Sequence, residues 1–61
     1  MLIKLNTSNG EVWINPNLVE SVWRSTDDGK TVVVLSDDVY YTVVESIQYV
    51  IDVINDELGK G

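Results

Sequence analysis

The residues best equipped for chemistry in this 61-residue chain are aromatic and cationic: Trp13, Trp23, Arg24 and Tyr40. Indole and phenol rings can stack on a nucleobase, an interaction worth about 1–3 kcal/mol per base. The same ring types, with arginine, are the preferred anchors of protein–protein hot spots. The Arg24 guanidinium, next to Trp23, can take a phosphate or carboxylate bidentately. These four are the candidate ligand- or partner-binding residues. Arg24 has a plainer alternative as a solvated strand-end charge paired with Glu20 or a turn aspartate. Leu2, Trp13, Tyr40, Tyr49 and Val53 are candidates for an oligomer interface. There a second copy covers the aromatic face, and a ligand pocket can form between copies.

The chain contains no Cys and no His. It therefore has no disulfide, no thiol nucleophile, no imidazole base and no cysteine or histidine ligands for zinc or haem. Its hydroxyls have no visible base. Asp27-Asp28 and Asp37-Asp38 lack calcium-loop spacing and read as turns. The expectation is a protein without enzymatic activity, metal or cofactor.

Four basic residues face ten acidic ones, for a net charge of −6. Lys4, Arg24, Lys30 and Lys60 are scattered, which argues against duplex nucleic acid, since each neutralised phosphate needs a cation. Lys4 itself reads as an edge-strand charge that blocks aggregation. No apolar run approaches the roughly 20 residues that span a bilayer. Met1 leads into a β pattern rather than a basic and then apolar signal segment. These features predict a cytoplasmic protein with no membrane partner.

The elements that must position the aromatic residues follow from alternation and turn chemistry. Residues 2–14 read as a hairpin about Asn9-Gly10, the dipeptide favoured in type I′ turns. Pairing about it sets Leu5 opposite Ile14 and Thr7 opposite Val12. Ile3, Leu5, Val12 and Ile14 then share one face, with Leu2, Lys4, Asn6 and Trp13 on the other. Pro16 ends the hairpin in a short turn, with Asn15 and Asn17 capping it locally. A third strand runs over about residues 19–25, with Val22 toward the core and Trp23 away from it. Gly29 closes the next turn at positive φ. A second hairpin covers residues 31–44 about Ser36-Asp37-Asp38.

The last element is a helix over about residues 46–58. Ile47, Val50, Ile51, Ile54 and Leu58 form its apolar stripe. Ser46 is the expected N-cap, in competition with a Thr42/Glu45 capping box, and Gly59 is the expected stop. Tyr49 and Val53 lie beside the stripe. The fold class is α+β: a five-stranded antiparallel meander, β-β-β-β-β-α, with one C-terminal helix packed on one face, all in a single domain.

The segment TVVVLSDDVYYTVV, residues 31–44, is apolar on both faces of its strands. One helix can cover only one face, so the other is left for a partner. A chain this short buries only about 60% of its unfolded surface, so oligomerisation is the remaining stabilising device. The expected association surface joins this hairpin to Trp13 and Leu2.

The order of elements resembles the FlbD-like family of flagellar and swarming motility proteins. The resemblance runs through Ile3-Lys4-Leu5, Asn9-Gly10, Asn15-Pro16, Leu18-Val19-Glu20, Leu35, and Tyr41 to Glu45-Ser46 with the helix after it. It implies a short cytoplasmic sheet-plus-helix protein that acts through protein contacts without enzymatic activity. Trp13, Trp23 and the Asp37-Asp38 turn depart from the usual pattern. Small phage or mobile-element proteins can reuse such a fold for other partners.

Two functions are therefore expected. The first is a small homo-oligomeric binding protein that regulates or inhibits a host protein by contact. The alternative is a phage-type sponge that sequesters a nucleotide-like signal at the aromatic oligomer interface.

Overall fold

The computed structural model describes residues 2–36 and 38–60. Five strands and one helix are formed: β1 (Ile3–Thr7), β2 (Gly10–Ile14), β3 (Ser21–Arg24), β4 (Thr31–Ser36), β5 (Val39–Val43) and α1 (Ile47–Gly59), with a 3-10 turn at Pro16–Leu18. The sheet is antiparallel, and the helix packs on one face of it, giving the expected α+β architecture. The strand order is β2-β1-β5-β4-β3. A simple meander therefore holds only within β1-β2 and within β3-β4-β5. The two parts join where β1 meets β5, so the first strand lies inside the sheet and β2 and β3 form its edges.

The first hairpin differs from expectation in its turn. Ile3 pairs with Ile14, Leu5 with Val12 and Thr7 with Gly10, two residues away from a turn centred on Asn9-Gly10. A type I′ turn would place Asn9 at positive φ. Among the described residues only Gly10 (φ 125°) and Gly29 (φ 72°) have positive φ. The Thr7 hydroxyl sets the loop at Ser8-Asn9: it accepts from the Asn9 N–H at 3.1 Å and donates to the Gly10 carbonyl at 2.8 Å. This local hydrogen-bonded alternative displaces the Asn-Gly preference. A slip of two residues preserves side-chain parity. Ile3, Leu5, Val12 and Ile14 thus still share the helix face.

At the next corner Asn15 acts as expected, its side chain accepting from the Asn17 N–H at 2.9 Å. β3 is shorter than the expected span because regular pairing begins only at Ser21 and ends at Arg24. The Asp37-Asp38 turn falls partly outside the described residues, since Asp37 is not among them.

Register settles the faces of the second hairpin. Val33 pairs with both Val22 and Tyr41, and Thr31 with Val43, all on the helix face. Val32 pairs with Trp23 and Thr42, and Val34 with Ser21 and Tyr40, on the opposite face. The β4–β5 register shifts between Val34 and Ser36, which leaves Leu35 as the extra residue of a bulge.

Helix α1 starts at the expected cap, with Ser46 Oγ accepting from the Tyr49 N–H at 3.2 Å. The Thr42/Glu45 capping box does not form, because the Glu45 carboxylate is bound to Asn6 instead. The helix runs through Gly59 rather than stopping before it, and Lys60 is its C-cap in the right-handed region. Lys60 lies 3.5 Å from Asp56 and 3.6 Å from Glu57. Those carboxylates raise its pKa, Glu57 most. Lys60 thus offsets the acidic pair at the negative end of the helix dipole.

The core consists of Ile3, Leu5, Ile14, Val33, Val43, Val50 and Ile54, with Val12, Val19, Val22, Leu35, Tyr41 and Val53 packed against it. Each fully buried aliphatic side chain contributes about 1.5–3 kcal/mol. The helix presents Val50, Val53 and Ile54 to the sheet and leaves Ile51 and Leu58 exposed. Its contact face is therefore rotated relative to the expected stripe.

Candidate functional site

The helix covers one sheet face, and the other carries the aromatic residues. Trp13, Trp23 and Tyr40 are 60%, 49% and 60% exposed, and Leu2 and Tyr49 are also exposed. Exposed apolar groups mark a contact surface where they are contiguous, not where they are scattered. The expected residues do not, however, form one platform.

Trp13 sits opposite Lys4, three residues to one side of the Thr7–Val43 pair that joins β1 to β5. Tyr40 lies three residues to the other side, on a different strand. At about 3.3 Å per residue the two are separated by roughly 20 Å along the strand axis. Trp13 belongs to one end of the sheet, beside Lys4, whose ammonium lies 3.1 Å from Glu11. By sheet order β1 is an inner strand, but it pairs with β5 only at Thr7–Val43, so at Lys4 its second side is unpaired and the charge stands at a local edge, with an exposed partner. A pair of this kind contributes about 0–1 kcal/mol.

Trp23 and Tyr40 do share a patch. Reading across β3, β4 and β5, its rows are Trp23–Val32–Thr42 and Ser21–Val34–Tyr40. Val32 is only 6% exposed although it faces away from the helix and lies outside the main core. Its cross-strand neighbours are Trp23 and Thr42. This gives the outer face one buried aliphatic side chain bordered by Trp23 and Tyr40, residue types that serve as anchors in contact surfaces.

Arg24 does not join this patch. It pairs with Thr31 and so projects on the helix side, opposite to Trp23. Among the described residues it makes no ion pair, with Glu20 or with a turn aspartate. Val53, expected on the association surface, is half-buried against the core, because it lies next to the Val50–Ile54 contact line. Tyr49 lies on the helix, away from the outer sheet face, so it cannot extend the patch.

Two further features of this region arise from the tertiary structure. A cleft of about 470 Å³ opens between the first turn and the start of β5, lined by Thr7, Ser8, Asn9, Glu11, Val12, Tyr40, Tyr41 and Thr42. It exists because β1 and β5 pair only at Thr7–Val43 before β1 turns away. The second is Glu45, whose backbone carbonyl accepts from the buried Thr31 hydroxyl at 2.9 Å while its carboxylate holds Asn6. The available signal was the Glu45-Ser46 pair at the strand–helix junction.

Among the described residues the titratable groups that come together as a cluster are Asp56, Glu57 and Lys60 at the helix end, away from the sheet face. Asp28 has a lowered pKa because it accepts the Lys30 backbone N–H, a turn interaction at 2.9 Å. Among the described residues no group of acidic side chains is placed to hold a metal, and no helix is long and apolar enough to cross a membrane.

The fold and site define a small sheet-plus-helix protein with an exposed aromatic sheet face. The chain matches the FlbD family, flagellar and swarming motility proteins, over residues 2–57. It belongs to that family. No curated protein and no solved structure matches it.

Proposed function

We propose that this protein is a non-enzymatic, cytoplasmic, self-associating regulator or inhibitor that acts by protein contact, with its partner in the motility machinery its family name describes. The observation that carries the reading is the exposed patch of Trp23 and Tyr40 around Val32, on the face that the helix leaves open. Self-association through this patch would also add burial to a 61-residue chain, a size at which a lone domain is marginal. The strong negative charge suits a partner with a basic surface.

Size-exclusion chromatography with light scattering tests the self-association. A dimer or larger species is expected at micromolar concentration, with Trp23→Ser shifting it to monomer. A stable wild-type monomer at that concentration overturns the reading.

A further inference from the structure

The cleft beside β5 is an interruption in the sheet's hydrogen bonding. The Val44 N–H donates to the Asn6 carbonyl at 2.8 Å, so the backbone groups of Val44 point toward β1. In an antiparallel ladder this direction repeats every second residue. The N–H and C=O groups of Thr42 and Tyr40 therefore point to the same side as those of Val44. There β1 has already turned at Ser8-Asn9, and the cleft begins. On its other side β5 is fully paired with β4. An inner strand thus shows an open edge about three residues long, roughly 10 Å.

Backbone donors and acceptors at two-residue spacing are matched by another extended backbone, the principle of strand addition. A planar base or a lone phosphate matches them less well. The walls add a charge preference. Glu11 lines the cleft, Asp38 lies at the hairpin end of β5, and the chain carries −6 overall.

We propose that this gap is a docking slot for a short extended segment of a partner protein carrying lysine or arginine, which adds as a strand along Tyr40–Thr42. The proposal rests on the protein-contact reading above and says where such contact is made. The slot lies on the β1 side of β5 and the outer-face patch on its β4 side, with Tyr40 common to both.

Amide exchange by NMR tests the open edge directly. In the free protein the amides of Tyr40 and Thr42 are expected to exchange at least about tenfold faster than those of Tyr41 and Val43. An acetylated peptide of six alternating valines and lysines is then titrated into labelled protein. Shifts are expected at residues 7–12 and 39–42, with exchange at Tyr40 and Thr42 slowed about tenfold. Thr42→Pro removes an N–H that faces the slot and also fixes φ near −65°; with the Tyr41 and Val43 amides still protected, as a check that the β4–β5 pairing is kept, it should weaken the peptide roughly tenfold. Glu11→Gln leaves the backbone untouched and should weaken it about threefold at low salt, less at high salt.

Amides already protected in the free protein, or no shift at millimolar peptide, overturn the slot. So does displacement of the peptide by a cyclic dinucleotide, or a response confined to Trp13 or Trp23. If the slot fails while light scattering shows a dimer that Trp23→Ser dissociates, the reading of self-association stands and only the slot is lost.

Discussion

The Glu45 carboxylate accepts three hydrogen bonds from Asn6: two from its backbone N–H, at 3.0 and 3.1 Å, and one from its side-chain amide, at 2.7 Å. Asn6 lies on β1 and Glu45 on the link between β5 and α1. The chain leaves the sheet after Val44, and the carboxylate takes the place of the strand that would have received the Asn6 N–H. The Thr31 hydroxyl holds the same residue from β4. Glu45 thus fixes the point where β1, β4, β5 and the helix meet.

Glu45→Ala leaves the half-buried Asn6 N–H without its partner. It is expected to cost about 1–3 kcal/mol. Asn6→Ala loses only the side-chain bond and should cost less. Thermal unfolding checks the ranking, at about 4–8 °C per kcal/mol for a domain of this size. Equal losses would contradict the dominance of the backbone donor.

The position of the first turn gives a second test. Gly10 has φ 125° with no atom near an added Cβ, so its restriction is conformational rather than steric crowding from neighbours. Gly10→Ala is expected to destabilise by about 1–3 kcal/mol. Asn9→Ala should fall within roughly 0.5 kcal/mol of wild type, since Asn9 is not at positive φ. Denaturant titration of the two variants separates this turn from one centred on Asn9-Gly10, in which both changes would be costly.

The rotation of the helix predicts a contrast between two leucines. Leu5 is fully buried and Leu58 is 45% exposed. Leu5→Ala is expected to cost about 2–5 kcal/mol through lost transfer energy and a cavity. Leu58→Ala should stay within roughly 0.5 kcal/mol. Chemical denaturation measures both, and a large effect at Leu58 in a monomeric sample would contradict the packing described.

Asp28 predicts a local response to acid. Its folded pKa lies below the ordinary 3.8 because the carboxylate accepts the Lys30 N–H. A depressed carboxylate stabilises the fold above its unfolded pKa. That contribution is lost as the pH falls through the folded value. The Lys30 amide resonance should therefore titrate at a pH below 3.8, and Asp28→Asn should abolish that transition. An NMR titration in which Lys30 moves at or above the ordinary value would contradict the contact.

Much of the fold could be read from local patterns. Alternation gave the strand faces of the first hairpin, Ser46 marked the helix start, and Asn15 marked the corner at Pro16. The β1–β5 pairing could not be read, because a single pair between distant strands has no local signature. That pairing is what separates Trp13 from Tyr40, so the imagined single platform depended on the one element the pattern did not encode. The helix face that meets the sheet has no local signature for a related reason. Val53 and Ile51 are equally apolar, and only the position of the sheet beneath decides which is buried. The cleft arises from the same topology: it is a gap between elements rather than a run of residues.

The sheet order also fixes when the domain can exist during its own synthesis. Most strand pairs here join near neighbours in sequence, and such hairpins close quickly because little chain entropy is lost. The β1–β5 junction spans most of the chain, from Thr7 to Val43, and the Asn6–Glu45 clasp spans 39 residues. Neither can form until the segment around Glu45 has left the ribosome. A nascent chain that ends just before Val43 holds the β1-β2 hairpin and the β3-β4-β5 meander unconnected, and release of the last third of the sequence makes them one sheet.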